Sequence, residues 1–398
     1  MKKSYLMIVA AAALFSACAN EVIVDKTAMK TQDQPFIFEA FADKTTRADE
    51  SNSTKLYDFY KTFDVYGWKT VGSENKSVFA HVPVGYFTED TQGEVVYKTD
   101  PAKPSDEWGT FAAGWYYEYV RYWDKVASGY QFFAIAPYEA TPAPALTVAA
   151  DADNIAIGTS SDKYDISTEK NLVNGKAVTT TTGVTPIADK KYFGFNKDYM
   201  LADKSTTKNA LVTLGFHHIL TKLNVKVTKQ ESYKGASDLV INEVKIANLK
   251  KTGYFNYNNS MTKCGWTTDG SYNLVNTGNY LISTKTAGAA VYSGYYWFQT
   301  LIFPQTLTCK ATGAKATPTD LTDRYLYVKY TIGTEVFEAY YDLANAFGKT
   351  TDVADDLEYE FAQGSEYTLN IKVGPEPIKF DATVTAWTPV DEVAHSVY

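Results

Sequence analysis

Arginine is scarce in this chain, and the surroundings of its first arginine suit proteolysis. The three arginines are Arg47, Arg121 and Arg324. Arg47 and Ala48 lie in the polar segment 43–53, the kind of surface loop in which proteolytic cleavage concentrates. Arg121 and Arg324 lie in aromatic runs that are typical of strands. The pattern predicts one cut by an arginine-specific protease, between Arg47 and Ala48; the alternative is an ordinary solvated loop arginine.

The first cysteine, Cys18, follows a segment with the features of a signal peptide. Two lysines precede an apolar run over residues 5–15, which is too short to span a bilayer. Small residues stand directly before Cys18, as in the sites that lipoprotein signal peptidase reads. We therefore predict a signal peptide over residues 1–17 and acyl chains on Cys18, which anchor through about 0.8 kcal/mol per buried methylene. Ordinary cleavage after Ala19 is the alternative, because residues 17–19 also match an A-x-A site.

The remaining thiols and imidazoles do not form a metal-binding pattern. Cys264 and Cys309 are left once Cys18 is acylated; an exported chain can join them in a disulfide, and two separate thiols are an equal alternative. His217 and His218 are adjacent, so on a strand they face opposite sides and cannot easily share a metal. We expect one of them to pack in the core or to bond to backbone. No metal site and no cofactor is predicted.

Catalytic and nucleic-acid-binding motifs are also missing from the sequence. The chain has no G-x-S-x-G, P-loop, G-x-G-x-x-G or C-x-x-C motif, and its acidic residues are scattered. The formal net charge of −8 argues against nucleic acid as a partner. No later apolar segment is long enough to predict a second membrane element. The expectation is a protein that is not an enzyme.

The residues before Arg47 favour a buried strand. Phe36, Ile37, Phe38 and Phe41 form an apolar run that only one acidic residue interrupts, and this density suits a strand buried on both faces. If such a strand were removed, the rest of the domain would expose unpaired backbone groups and an apolar groove.

Short β-strands are predicted along most of the chain, in which 45% of residues are hydrophobic and 15% aromatic. The predicted strands cover residues 56–68, 95–97, 115–123, 130–137, 211–216, 219–227, 239–246, 292–303, 325–330, 336–341, 367–373 and 378–387. Weak helical periodicity occurs only at 341–347 and within 200–210. Many short strands and turns favour an all-β chain with two tandem antiparallel β-sandwich domains. We place them at 48–204 and 205–398, after a propeptide over 18–47.

The last predicted strand has a regular apolar face. The residues that share this face are Ile378, Phe380, Ala382, Val384 and Ala386. Polar residues occupy most of the opposite face. Two interpretations stay open: the strand completes its own sandwich, or the stretch 378–398 is donated to another molecule by strand addition.

Several of these stretches together resemble the fimbrillin pilins, the subunits of type V pili, over nearly the whole chain. The resemblance is carried by the lipoprotein-like site at Cys18, TTRA around Arg47, YQFFAIAP, DYMLA at 198–202, LVTLGFHHILTKLNVKV at 211–227 and YTLNIKVGPEPIKFDATVTAW at 367–387. It implies transthyretin-like sandwich domains, export as a lipoprotein to the cell outer membrane, and cleavage after Arg47. It also implies that the first strand leaves and that a C-terminal strand of the next subunit fills its place in a surface-exposed fimbrium that supports adhesion.

The partners expected from this resemblance are other pilin subunits, the outer membrane before processing, and a host protein or glycan. The short chain after the last strand leaves open whether this subunit also donates or only accepts. A second hypothesis is a surface lipoprotein that binds glycan or host protein without polymerising. Its sequence basis is an aromatic cluster that either stacks on sugars or fills a core: Tyr116, Tyr117, Tyr119, Tyr122 and Trp123.

Overall fold

The computed structural model describes fourteen parts of the chain, which together contain every strand discussed below. These parts are residues 34–42, 54–58, 60–89, 95–97, 113–138, 148–150, 154–166, 176–177, 198–206, 211–258, 264–283, 294–309, 324–347 and 357–386.

Strands make up nearly all of the regular secondary structure among the described residues. The first thirteen strands are β1 (Phe38–Ala42), β2 (Thr54–Lys55), β3 (Thr62–Val71), β4 (Glu74–Glu89), β5 (Val95–Tyr97), β6 (Gly114–Tyr116), β7 (Gly129–Ala136), β8 (Val148–Ala150), β9 (Asn154–Ile157), β10 (Tyr164–Asp165), β11 (Lys176–Ala177), β12 (Met200–Thr206) and β13 (Val212–His218). The remaining strands are β14 (Thr221–Lys229), β15 (Leu239–Leu249), β16 (Thr252–Asn258), β17 (Gly265–Asp269), β18 (Tyr272–Ser283), β19 (Gly294–Ile302), β20 (Gln305–Cys309), β21 (Tyr325–Ile332), β22 (Glu335–Asp342), β23 (Leu357–Phe361), β24 (Ser365–Val373) and β25 (Lys379–Ala386).

Helical structure in the described part is limited to two short turns. A 3-10 turn covers Leu56–Asp58, and the single α-helix, α1, covers Leu343–Ala346. The weak helical prediction at 341–347 is confirmed by α1. The one within 200–210 is wrong over residues 200–206, because β12 occupies them. No helix among the described residues is long and apolar enough to cross a membrane. The all-β prediction is confirmed.

The N-terminal half is built on one nine-stranded sheet. Its strands lie in the order β2-β1-β13-β12-β7-β3-β4-β5, and β6 pairs with β4. One apolar core contains side chains from both ends of this order, from β1 as well as from β4 and β6. The sheet therefore curls around its own core, and β1 covers the side chains of β3, β4 and β7.

The C-terminal half is a sandwich of two sheets. A five-stranded sheet has the order β11-β19-β14-β24-β25, and a four-stranded sheet has the order β18-β15-β21-β22. A single core cluster takes side chains from both sheets, from the β20–β23 pair and from α1. Most ladders between the described strands are antiparallel as predicted, but β1 runs parallel to β13 and β14 runs parallel to β24.

A third sheet joins the two halves. It has the order β10-β16-β9-β8 with β17 on β16, so it combines strands from before and after β13. A separate core packs this sheet against the outer face of the nine-stranded sheet, through residues such as Tyr66, Phe133, Ile155 and Phe255. The two halves therefore share a sheet and a core and are not merely linked by one strand.

The structure changes where a boundary between the halves is best drawn. The predicted boundary at 204/205 falls inside β12, and β13 pairs with both β12 and β1 in the first sheet. We propose that the N-terminal unit extends to His218 and that the C-terminal unit begins with β14 at Thr221. Several strands were not predicted, notably β4 and the run β16 to β18, because their polar and aromatic residues lack a clean alternation.

Candidate functional site around the first strand

The strand β1 is buried on one face along its whole length. Phe36 and Phe38 are 0% and 2% exposed, and Ala40 and Ala42 are also buried. Ile37 and Phe41 point to the other face and are only half-buried. The prediction of burial on both faces is therefore wrong in detail, because the alternating geometry of a strand gives the core only every second residue.

Backbone pairing holds β1 on both edges. On one side it runs parallel to β13, from Phe38 opposite Val212 to Ala42 opposite Phe216. Val212 N also donates to Ile37 O at 2.9 Å. On the other side β2 adds a short antiparallel pair. Loss of β1 would leave the edge of β13 without its partner, which is the situation that β-strand addition exploits.

The residues just before β1 are held by the segment 117–123, which we call the clamp segment. Phe36 N donates to Arg121 O at 2.9 Å, and Trp123 N donates to Gln34 O at 3.0 Å. The Tyr117 hydroxyl donates to Phe36 O at 3.1 Å. Burial raises the pKa of the Tyr117 phenol above its ordinary value, so the hydroxyl keeps its proton and remains a donor.

The two phenylalanines of this face fill adjoining aromatic pockets. The rings within 6.3 Å of Phe36, centre to centre, are Trp123 at 4.3 Å, Phe79 at 5.3 Å, Tyr130 at 5.4 Å and Phe132 at 5.7 Å. Those around Phe38 are Phe79 at 5.5 Å, Tyr117 at 5.8 Å, Phe132 at 5.9 Å and Phe63 at 6.2 Å. Burial of each phenylalanine contributes about 1.5–3 kcal/mol, so removal of β1 would expose a large apolar groove.

Glycine is required in the floor of these pockets. A Cβ on Gly67 of β3 would lie 2.9 Å from Phe132 Cδ1 and 3.0 Å from Phe79 Cδ2. The absence of a Cβ therefore leaves room above Gly67 for the rings of Phe79 and Phe132, which both contact Phe36 and Phe38. Along the groove, the two aromatic pockets hold Phe36 and Phe38, and the smaller side chains of Ala40 and Ala42 follow in the same core.

The candidate donor strand β25 is attached to its own sheet. It pairs antiparallel with β24 from Lys379 to Ala386 and is the last strand of the five-stranded sheet. Its apolar face becomes less buried along the strand: Ile378 is buried, Phe380 and Ala382 are half-buried, and Val384 is 54% exposed. The Phe380 ring lies 4.7 Å from the ring of Tyr341. In this structure, then, β25 completes its own sandwich.

Some predicted site residues cannot be placed. Cys18, Arg47 and Ala48 lie outside the described residues, as does the side chain of Cys309. Cys264 is present as a thiol whose Sγ accepts a hydrogen bond from Gln363 Nε2 at 3.8 Å. Burial raises the pKa of this thiol. A disulfide between Cys264 and Cys309 stays a prediction.

The other two arginines are both packed against the protein. The Arg121 guanidinium lies over the ring of Phe79, 4.9 Å from its centre, and its Nη1 donates to Tyr119 O at 3.3 Å. Arg324 Nη1 donates to Thr306 O at 2.6 Å. Arg324 precedes β21 as the aromatic run indicated, but Arg121 lies outside any strand because β6 ends at Tyr116.

The histidines follow the structural expectation. His218 is buried, which confirms that one of the pair packs in the core. Its Nδ1 lies 2.6 Å from Asp198 Oδ2, so its hydrogen-bond partner is a carboxylate and not the backbone. Within the described parts of the chain, no group of three or more His, Cys, Asp or Glu side chains is placed to hold a metal ion.

The aromatic cluster divides between core and surface. Tyr116, Tyr117 and Trp123 are buried, whereas Tyr119 and Tyr122 are 57% and 45% exposed. Three of the five rings therefore fill the core, as the packing interpretation expected. The pairing of residues 34–36 with the clamp segment was not predicted, since no sequence pattern marks an irregular segment as a hydrogen-bonding partner.

Comparison with known families now places the chain. A sequence model described as fimbrillin-like matches residues 46–387, which is most of the chain. The chain belongs to the fimbrillin-like family. The match begins just before Arg47 and ends at Trp387, so it covers the body of the protein and β25 but not β1.

Solved structures that resemble this fimbrillin-like chain have low sequence identity to it. They include a fimbrial protein from Bacteroides vulgatus (13% identity, TM-score 0.48, covering 89% of this chain and 99% of that chain). The tip fimbrial protein Mfa3 from Porphyromonas gingivalis, with a C-terminal truncation, has 10% identity and a TM-score of 0.36, covering 89% and 100%. The fimbrial anchor protein Mfa2 from the same organism has 10% identity and a TM-score of 0.30, covering 89% and 98%. No curated protein matches the chain.

Proposed function

We propose that this protein is a structural pilus subunit, assembled on the cell surface by strand exchange. The observation that carries the proposal is β1: it is paired on both edges, it fills two aromatic pockets, and it lies directly before the polar segment that contains Arg47. A strand with these properties can be removed by one cut in the following segment. Membership of the fimbrillin-like family supports the same role.

The proposed sequence of events begins with export. Acyl chains on Cys18 hold the precursor at the cell outer membrane, and hydrolysis of the Arg47–Ala48 peptide bond then frees the propeptide 18–47. Its loss exposes the β13 edge and the two aromatic pockets. Because apolar surface and unpaired backbone groups are both costly in water, the groove has a strong tendency to bind another strand.

The proposed occupant is a strand from another pilin subunit. The face of β25 offers Ile378, Phe380, Ala382 and Val384, which is the same order of large then smaller side chains as Phe36 to Ala42. A contact between the groove of one molecule and a strand of the next is head-to-tail, so it forms a filament that does not close. The fimbrium would support adhesion to host protein or glycan, without catalytic activity and without nucleic acid.

The test is assembly after proteolysis of the full-length precursor. Treatment with an arginine-specific protease should give a mature chain that begins at Ala48 and ladders that resist SDS, seen by electrophoresis and as filaments by electron microscopy. An Arg47→Ala variant is the matched control and should stay monomeric. Mature wild-type protein that has lost residues 18–47 and yet remains monomeric at high concentration would instead favour a surface lipoprotein that does not polymerise.

A further inference from the structure

The clamp segment depends on the residues that processing removes. Its residues, 117–123, belong to no regular strand, and Tyr122 forms an isolated β-bridge with Pro35. The backbone hydrogen bonds that Arg121 O and Trp123 N make are to Phe36 N and Gln34 O. Both of these partners belong to the propeptide, so both bonds are lost when it leaves.

Side-chain packing of the clamp segment also depends on β1 and its flank. The Trp123 ring lies 4.3 Å from the Phe36 ring, and the Tyr117 ring lies 5.8 Å from the Phe38 ring. Between these anchors, Tyr119 and Tyr122 are about half exposed to solvent. Loss of residues 34–42 therefore removes one ring contact at each anchor and the backbone pairing near them, which favours local opening. The contacts that remain are Trp123 with Tyr130 at 4.6 Å and Tyr117 with Phe79 at 5.3 Å.

One arginine lies in the middle of this segment. With β1 in place, the carbonyl of Arg121 is hydrogen-bonded and its guanidinium is held over the rings of Phe79 and Tyr117. A protease needs an extended backbone with free carbonyl and amide groups around the scissile bond, which this arrangement denies. Arg324 offers no comparable case, because its partners Thr306 and Asn248 both lie outside the propeptide.

We propose that Arg121 is a second, conditional processing site, cut only while the groove is empty. The inference rests on the proposed function for its biological setting. Water adds across the Arg121–Tyr122 peptide bond, and the chain is divided within the unit that forms the groove. The same class of protease that opens the groove would then destroy subunits that no donor strand fills, while an inserted strand restores the clamp and protects Arg121.

The decisive experiment separates this inference from strand exchange by keeping the propeptide attached. Full-length protein carrying Arg47→Ala is treated with an arginine-specific protease, and the rate at which a fragment beginning at Tyr122 appears is measured by mass spectrometry. Adding Phe36→Ala, which weakens the clamp without removing β1, should raise this rate at least about tenfold, since proteolysis follows the population of the open form. An unchanged rate would overturn the proposal.

Matched variants exclude general destabilisation. Phe380→Ala in the Arg47→Ala background weakens the C-terminal sandwich instead, and it should leave the rate of cleavage after Arg121 unchanged. Tyr117→Phe removes the hydroxyl that donates to Phe36 O at 3.1 Å and accepts from Arg121 N at 3.4 Å, and it should accelerate cleavage about threefold to tenfold. Equal acceleration by Phe36→Ala and Phe380→Ala would show global unfolding and would also overturn the proposal. Failure of the wild-type chain to be cut after Arg47 would count against the proposed function alone.

Discussion

The strands at the two ends of the described chain, β1 and β25, are held very differently. β1 lies between two neighbouring strands, and Phe38 together with Phe36, two residues ahead of it, inserts fully into a core. β25 has one neighbour in its sheet, and the burial of its apolar face falls from Ile378 to the mostly exposed Val384. The strand that is proposed to leave is thus the more deeply integrated one.

This difference in burial indicates which free-energy changes would drive the proposed strand exchange. Detaching β1 costs much free energy, so its release needs a covalent cut that lets the short peptide dissociate and be diluted. Detaching β25 uncovers less apolar surface, and insertion into the groove of another molecule would bury the same side chains more completely. The contrast is what the proposed exchange requires: a strand that stays bound until it is cut, and a second strand that gains burial when it moves.

The largest expected effect is that of truncating the buried face of β1. Phe38→Ala leaves a cavity among Phe63, Phe79, Tyr117 and Phe132, and we expect it to lower the free energy of unfolding by about 3–5 kcal/mol. Urea denaturation of the full-length precursor, followed by tryptophan fluorescence, measures this. A loss below about 1 kcal/mol would mean that β1 is not integral to the fold.

A smaller effect is expected from the equivalent change in β25. Phe380 is half-buried against Tyr341, so Phe380→Ala should cost about 1–2 kcal/mol in the same denaturation experiment. Val384→Ala, on the exposed end of the same face, serves as the control and should change stability by no more than about 0.5 kcal/mol. A cost for Phe380→Ala as large as that for Phe38→Ala would remove the contrast between the strands.

The smallest effect is expected from the Tyr117 hydroxyl, which hydrogen-bonds the clamp segment to Phe36, just before β1. At neutral pH, Tyr117→Phe should lower the free energy of unfolding by about 0.5–1.5 kcal/mol, the value of its bond to Phe36 O, because the bond it accepts from Arg121 N is longer at 3.4 Å. Burial raises the pKa of Tyr117 above its ordinary value of 10.0. The contribution of the neutral phenol to the free energy of unfolding is therefore complete below pH 10 and is lost as the pH rises through the raised pKa.

The melting temperature, measured from about pH 8 to about pH 12, tests whether stability falls with rising pH as expected. Wild-type precursor should lose stability more steeply above pH 10 than the Tyr117→Phe variant, whose ring cannot ionise; the other tyrosines act equally in both proteins. Parallel curves would mean that Tyr117 is not buried in the way described.

Sequence patterns predicted the strands whose side chains alternate regularly and missed those whose role depends on distant partners. The stretch 367–387 gave β24 and β25 nearly to the residue, since apolar and polar positions alternate through it. The aromatic run at 115–123 was predicted as a strand, yet only Gly114–Tyr116 is one. Density of aromatic residues indicates burial, but it does not say whether the backbone that carries them pairs in a ladder.

What the sequence alone determined is the all-β class, the family, the apolar strand ahead of Arg47 and the small set of arginines, because residue type and local alternation settle these. The tertiary structure decided which face of β1 is buried, that β13 belongs to the first sheet, and that the clamp segment holds residues 34–36. These facts depend on contacts between residues from about 80 positions apart (Tyr117 to Phe36) to about 175 (Val212 to Ile37), and no local propensity encodes such pairings.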